Sequence, residues 1–140
     1  LSKGAKVTGI ITEQLDAIEV GHKGLTNLEI VSSMHKRKAR MAELSDAIIS
    51  LPGGVGTWEE LFEALAWNQL GFYSKPIILF NVGGYYSSLY QFSKDSVEEG
   101  FLPKSTFEEL FISEDLEEIF NFISSFEKKD GKDWYKRLER

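Results

Sequence analysis

The sequence predicts an α/β domain built on a mostly parallel sheet with helices on both faces. Three observations carry that prediction. Short apolar runs alternate with longer amphipathic segments, the order expected when each strand is followed by a crossover helix. Two of the runs, AIISL at 47–51 and IILF within 75–82, are almost continuously apolar, as strands covered on both faces are. Glycines and prolines stand at the joins between segments.

Taken in order, residues 1–4 read as the last turn of a helix, stopped by Gly4. Residues 5–12 (AKVTGIIT) read as a short buried strand. Residues 13–25 carry no clear period and hold Gly21 and Gly24, so they read as a loop with room for one helical turn. A second strand follows at 27–33, then a polar, basic helix at 34–44 and a third strand at 47–51. The glycine-rich turn 52–56 leads into a helix over 57–70, with Trp58, Leu61, Phe62 and Leu65 spaced as one buried face. A fourth strand at 75–82, a turn at Gly83 and Gly84, and a helix at 85–99 ended by Gly100 come next. The run LFIS within 106–113 is a short strand. The last helix, 114–126, sets Leu116, Ile119, Phe120 and Ile123 on one side. One domain is expected over 1–127, with 128–140 a charged tail.

Composition narrows the function. With 42% hydrophobic and 27% charged residues, the chain of 140 is an ordinary globular one. It holds no cysteine, which removes disulfides, thiolate catalysis and cysteine metal sites. Its two histidines, His22 and His35, argue against a multi-histidine metal site. The net charge of −6 disfavours general nucleic-acid binding while leaving room for a local basic pocket. No run reaches the roughly 18 apolar residues of a membrane helix. Leu1 in place of a starting Met, and the helix-end character of residues 1–4, lead us to expect further chain upstream.

Chemistry is expected at the carboxyl ends of the strands. Two strand-to-helix turns stand there, Ser33-Met-His-Lys-Arg-Lys38 and Pro52-Gly-Gly-Val-Gly-Thr57, and the crossover rule puts both on the same edge of the sheet. The second can cradle an anion, because glycines let the backbone approach closely and a helix start offers N–H groups. It lacks the lysine of a P-loop and is not GxGxxG. It also reads as a plain tight turn.

Lys36, Arg37, Lys38 and Arg40 crowd four positive charges into five residues. Arg37 or Lys38 could enter an anion pocket, while the rest of the run is a solvated helix face. Glu60 has two readings. With Thr57 it fits a capping box, and beside an anion-binding turn it could face a sugar hydroxyl or a developing cation. His35 could be a general acid or an ordinary turn histidine. Tyr85, Tyr86 and Tyr90 could line a base pocket, make a subunit contact or pack in the core.

Met34-His-Lys-Arg-Lys38 and Pro52-Gly-Gly-Val-Gly-Thr-Trp-Glu-Glu60 together resemble the paired signatures of the LOG family. Its members are cytokinin riboside 5′-monophosphate phosphoribohydrolases, often labelled lysine decarboxylases. The second motif matches PGGxGTxxE at every fixed position. Similarity also runs through Trp67-Asn-Gln-Leu-Gly71, Lys75-Pro76, Asn81-Val-Gly-Gly-Tyr-Tyr86 and Val97-Glu-Glu-Gly-Phe101.

The resemblance implies a Rossmann-like fold, a homodimer or larger homo-oligomer, and a cytoplasmic protein. It implies hydrolysis of the N-glycosidic bond of an adenosine-type 5′-monophosphate to base and ribose 5-phosphate. Neither a metal nor an organic cofactor is implied, nor a nucleic-acid or membrane partner. By position Arg37 and Glu60 would be the catalytic pair. Gly53, Gly54, Gly56 and Thr57 would hold the phosphate, with Met34 and Lys38 beside the nucleotide. The family begins with two earlier strands and a first glycine-rich turn, which precede the part matched here. Lys36 stands where an acidic residue is common, and Trp58 where a smaller apolar one is. The competing readings are a non-catalytic nucleotide-binding module and an amino-acid decarboxylase. The latter needs a pyridoxal-binding lysine that no pattern marks out.

Overall fold

The computed structural model describes residues 1–18, 21–22 and 24–127. The tail expected at 128–140 lies outside the described residues. The chain divides into two compact units, Leu1–Ser45 and Asp46–Arg140. All strand pairing among the described residues is parallel, and the Rossmann-like α/β class holds.

In the first unit, β1 (Thr8–Thr12) pairs with β2 (Asn27–Val31), Thr8 opposite Asn27 and Thr12 opposite Val31. Residues 1–4 form a turn closed by Gly4 N–H to the Leu1 carbonyl at 3.0 Å, with Gly4 at φ +81°. The single helical turn expected in the first loop is α1 (Glu13–Ala17), capped by Thr12, whose hydroxyl accepts from Leu15 N–H at 3.4 Å. The basic helix α2 (Met34–Leu44) has the predicted bounds. Ser33 caps it, its hydroxyl accepting from Lys36 N–H at 3.2 Å. No residue of α2 is fully buried, as its polar sequence requires.

In the second unit the sheet order is β3-β4-β5, from β3 (Ile48–Ser50), β4 (Ile77–Phe80) and β5 (Leu110–Ser113). Helix α3 (Val55–Leu70) follows β3, α4 (Ser87–Glu98) follows β4, and α6 (Leu116–Ser125) follows β5. Alternation explains why IILF is apolar throughout. Ile77 and Leu79 point to one face, where they cluster with Leu61, Ala64 and Leu65 of α3 and with Tyr86. Phe111 points to the other, where its ring stacks on Phe122 of α6 at 4.4 Å. Ile77, Ile78 and Leu79 are all fully buried, so both faces of the central strand are covered.

Several expectations are corrected. Among the described residues the strands lie in two parallel sheets, β1-β2 in the first unit and β3-β4-β5 in the second. The buried face of α3 is Leu61, Ala64, Leu65 and Asn68; Trp58 and Phe62 lie outside it, at 42% and 46% exposure. In α6 the inward residue is Ile119, while Leu116 and Phe120 are exposed. Helix α4 starts two residues later than predicted, after a 3₁₀ turn at Val82–Gly84. A short helix not foreseen, α5 (Lys104–Phe107), precedes β5. Among the described residues no helix is long and apolar enough to cross a membrane.

Candidate functional site

The glycine-rich turn leaves the carboxyl end of β3 and runs into α3, whose N-cap is Gly54. The first α-helical bond there goes from Trp58 N–H to the Gly54 carbonyl at 3.1 Å. The amides of Val55, Gly56 and Thr57 precede that bond, so the helix itself supplies them no acceptor. Together with the helix dipole they make the turn attractive to an anion.

Each glycine has a different reason to be there. A Cβ on Gly53 would overlap the Thr57 hydroxyl, so the fold itself needs glycine at 53. A Cβ on Gly54 or Gly56 would meet nothing within 4 Å, and neither residue has a left-handed φ. The fold does not explain those two. They leave bare backbone facing open space at a helix start, which suits close approach of a ligand.

Starting the helix at Val55 overturns the capping-box reading. Thr57 is the third helical residue and not the N-cap, and Glu60 lies beyond the first turn. Glu60 stands three residues after Thr57 and four after Gly56, on the same side of the helix. It is partly buried. Its carboxylate thus sits one turn down the helix from the bare amides.

Two tyrosines from the next strand-to-helix connection hold this turn. The Tyr86 hydroxyl donates to the Leu51 carbonyl at 2.6 Å, and the Tyr85 hydroxyl to the Gly53 carbonyl at 2.5 Å. Asn81, at the end of β4, accepts from Tyr86 N–H at 2.7 Å. Gly83 and Gly84, at φ +60° and +76°, let the chain turn tightly enough to bring both rings down. The rings meet edge to face at 4.8 Å. Burial, and then Tyr85, raise the Tyr86 hydroxyl above its usual pKa, which keeps it a donor. The packing role expected for these residues holds for Tyr86. The hydrogen bond from Tyr85 was not read from sequence; the cue was a tyrosine pair at a neighbouring strand end.

In the first unit, Met34, Arg37 and Lys38 share one side of α2 by their i, i+3, i+4 spacing. Arg37 Nε donates to the Ile10 carbonyl of β1 at 3.0 Å, which fixes the root of the guanidinium. Arg40 is committed elsewhere. It holds Glu29 with two bonds, 2.7 and 3.1 Å, and Glu43 with one of 2.8 Å. Those bonds pull the Glu29 carboxyl below its usual range and push Arg40 up. Lys36 Nζ reaches the Ser32 hydroxyl at 3.0 Å. The structure therefore brings the predicted residues together in two sets, one on α2 and one on the turn and first turns of α3. His22 and His35 are exposed.

A parallel α/β chain with a bare glycine turn at a helix start belongs to the Rossmann-like class, in which strand ends carry the ligand sites. A family profile described as "Possible lysine decarboxylase" matches residues 1–123, and the chain belongs to that family, the LOG family. A Rhodococcoides fascians protein named cytokinin riboside 5′-monophosphate phosphoribohydrolase is 47% identical over 126 residues, covering 89% of this chain and 64% of its own. An Arabidopsis thaliana protein of the same name, LOG1, is 48% identical over 99 residues, covering 71% of this chain and 46% of its own. A rice protein, named "Probable cytokinin riboside 5′-monophosphate phosphoribohydrolase LOGL2", is 49% identical over 102 residues, covering 73% and 42%. The chain thus spans less than two thirds of the length of these curated relatives.

Proposed function

We propose that the whole protein is a phosphoribohydrolase acting on an adenosine-type nucleoside 5′-monophosphate. The observation that carries this reading is the 47% identity, across 89% of the chain, to a relative named for that reaction. The turn supports it chemically, since Gly54 and Gly56 leave backbone bare where a phosphate would dock.

In the reaction the bond between C1′ of the ribose and the base nitrogen breaks. The base leaves with the bonding pair and takes a proton. Water adds its oxygen to C1′ and gives up a proton, leaving ribose 5-phosphate. The sugar passes through an oxocarbenium-like state, as in glycoside hydrolysis. Gly53, Gly54, Gly56 and Thr57 hold the phosphate. Glu60 supplies the negative charge that stabilises the cationic sugar, orients its hydroxyls or positions the water. Arg37, with Met34 and Lys38 beside it, contributes the cation that binds the nucleotide or helps the base depart. Binding energy at the phosphate, remote from the broken bond, positions the sugar. We further propose a homodimer or larger assembly in the cytoplasm.

The test is base release from AMP and from isopentenyladenosine 5′-monophosphate by the full-length protein, followed by chromatography. Release is expected from at least one, and Glu60→Ala should slow it by about 100-fold or more. A full-length protein that binds AMP yet frees no base from any nucleoside monophosphate would overturn the hydrolase reading. Undiminished turnover in Glu60→Gln would remove Glu60 from the mechanism.

A further inference from the structure

The phosphate turn is shaped by more than its glycines. Two carbonyls at the turn, Leu51 and Gly53, are each held by a tyrosine hydroxyl from the β4–α4 connection. The two bonds differ in what they control. The Leu51 carbonyl shares its peptide with Pro52, which has no N–H, so fixing it orients no donor. The Gly53 carbonyl shares its peptide with the Gly54 amide. No described peptide is cis, and in a planar trans peptide the N–H points opposite to the C=O. A carbonyl tethered to Tyr85 therefore aims the Gly54 N–H away from Tyr85.

Gly53 is held from a second side, because the Thr57 side chain occupies the space where its Cβ would be. The two tyrosines also differ in burial. Tyr86 is 1% exposed and belongs to the core cluster, whereas Tyr85 is 45% exposed and contributes little to it. A half-exposed ring whose hydroxyl reaches the turn is poorly explained by packing alone.

We infer that Tyr85 is a positioning residue for phosphate recognition: its hydrogen bond to the Gly53 carbonyl presets the Gly54 amide as a donor to the anion. This rests on the phosphate-binding role proposed for the turn. Tyr86 anchors the same turn to the core and sets stability. Without the Tyr85 hydroxyl the Gly53–Gly54 peptide loses that tether, and the donor is less well ordered before binding.

The experiment compares Tyr85→Phe with Tyr86→Phe in the full-length protein. It reads AMP affinity by calorimetry, inorganic phosphate as a competing ligand, KM and kcat for base release, and the thermal midpoint. Tyr85→Phe should weaken AMP and inorganic phosphate by the same factor, about three- to tenfold, the scale of one hydrogen bond. KM should rise by that factor with kcat little changed, because the phosphate is remote from the bond that breaks. The midpoint should hold in Tyr85→Phe and fall in Tyr86→Phe. Unchanged AMP affinity in Tyr85→Phe overturns the inference, and so does a fall in midpoint matching that of Tyr86→Phe. A wild type that binds AMP without turnover defeats the hydrolase reading while the affinity comparison still decides the role of Tyr85. A wild type that binds neither AMP nor phosphate defeats both.

Discussion

Gly53 and Gly56 stand three residues apart in one motif, and opposite outcomes are expected on adding a methyl group to each. At Gly53 the new Cβ would overlap the Thr57 hydroxyl, so Gly53→Ala should lower the thermal midpoint and distort the turn. At Gly56, inside α3, the new Cβ meets nothing within 4 Å. Alanine is the better helix former, so Gly56→Ala should stabilise the chain by about 0.5–1 kcal/mol while weakening phosphate binding. Chemical denaturation read beside AMP affinity checks both, and a Gly56→Ala protein with wild-type affinity would show that bare backbone at 56 serves no ligand. The motif was legible in the sequence, but the separate reason for each glycine was not. That reason lies in what surrounds the Cβ position. The capping-box reading of Thr57 and Glu60 failed for a related cause, because Val55 and Gly56 already adopt helical geometry and move the helix start upstream. Pattern alone also could not divide the basic run. Arg40 is absorbed by Glu29, which is eleven residues earlier and on another element.

Helix α3 shows how far periodicity carries. Its existence and its C-terminus at Leu70 were predicted, and Gly71 at φ +75° closes it as glycine does. The facing residues were not. A hydrophobicity pattern selects the largest apolar side chains, Trp58 and Phe62 among them, yet the sheet selects Ala64 and Asn68 beside Leu61 and Leu65. Asn68 faces inward because its amide serves both backbone groups of Lys75, giving a hydrogen bond to the carbonyl at 2.7 Å and accepting one from the N–H at 3.2 Å. This amide bridge fixes the chain just before β4, so the helix sets the start of the central strand. Removing it takes two hydrogen bonds from a partly buried place. Asn68→Ala should cost about 1–3 kcal/mol in urea unfolding. A loss below about 0.5 kcal/mol would mean that water replaces the amide there. The same limit applies in α6, where Phe122 stacks on Phe111 and the exposed Phe120 does not turn inward.

At the scale of the whole molecule, the alternation of strand and helix gave the parallel α/β class and its chain order. It could not give the division into two sheets, which depends on which edges pair and not on which segments are strands. Shifted titrating groups, Glu29 and Tyr73 among them, set expected limits on the stability of the molecule with pH. Glu29 in the first unit is held below its ordinary pKa of 4.5, first by the hydrogen bonds from Arg40. A depressed carboxyl adds stability above its unfolded pKa, and the addition disappears as pH falls below 4.5 and through the folded value. Tyr73 in the second unit is pushed from 10.0 up to about 12 by burial, with the Glu63 carboxylate adding to it. Between those values the folded chain keeps a proton that the unfolded chain has lost, so stability is complete below pH 10 and declines from there to about 12. Thermal midpoints measured from pH 3 to pH 12 should therefore fall at both ends. Glu29→Gln should weaken the acid fall and leave the alkaline one, and Tyr73→Phe should weaken the alkaline fall, to which Tyr86 also contributes, and leave the acid one, because the groups titrate at opposite ends of the range. An alkaline fall that persists unchanged in Tyr73→Phe would remove Tyr73 as its cause.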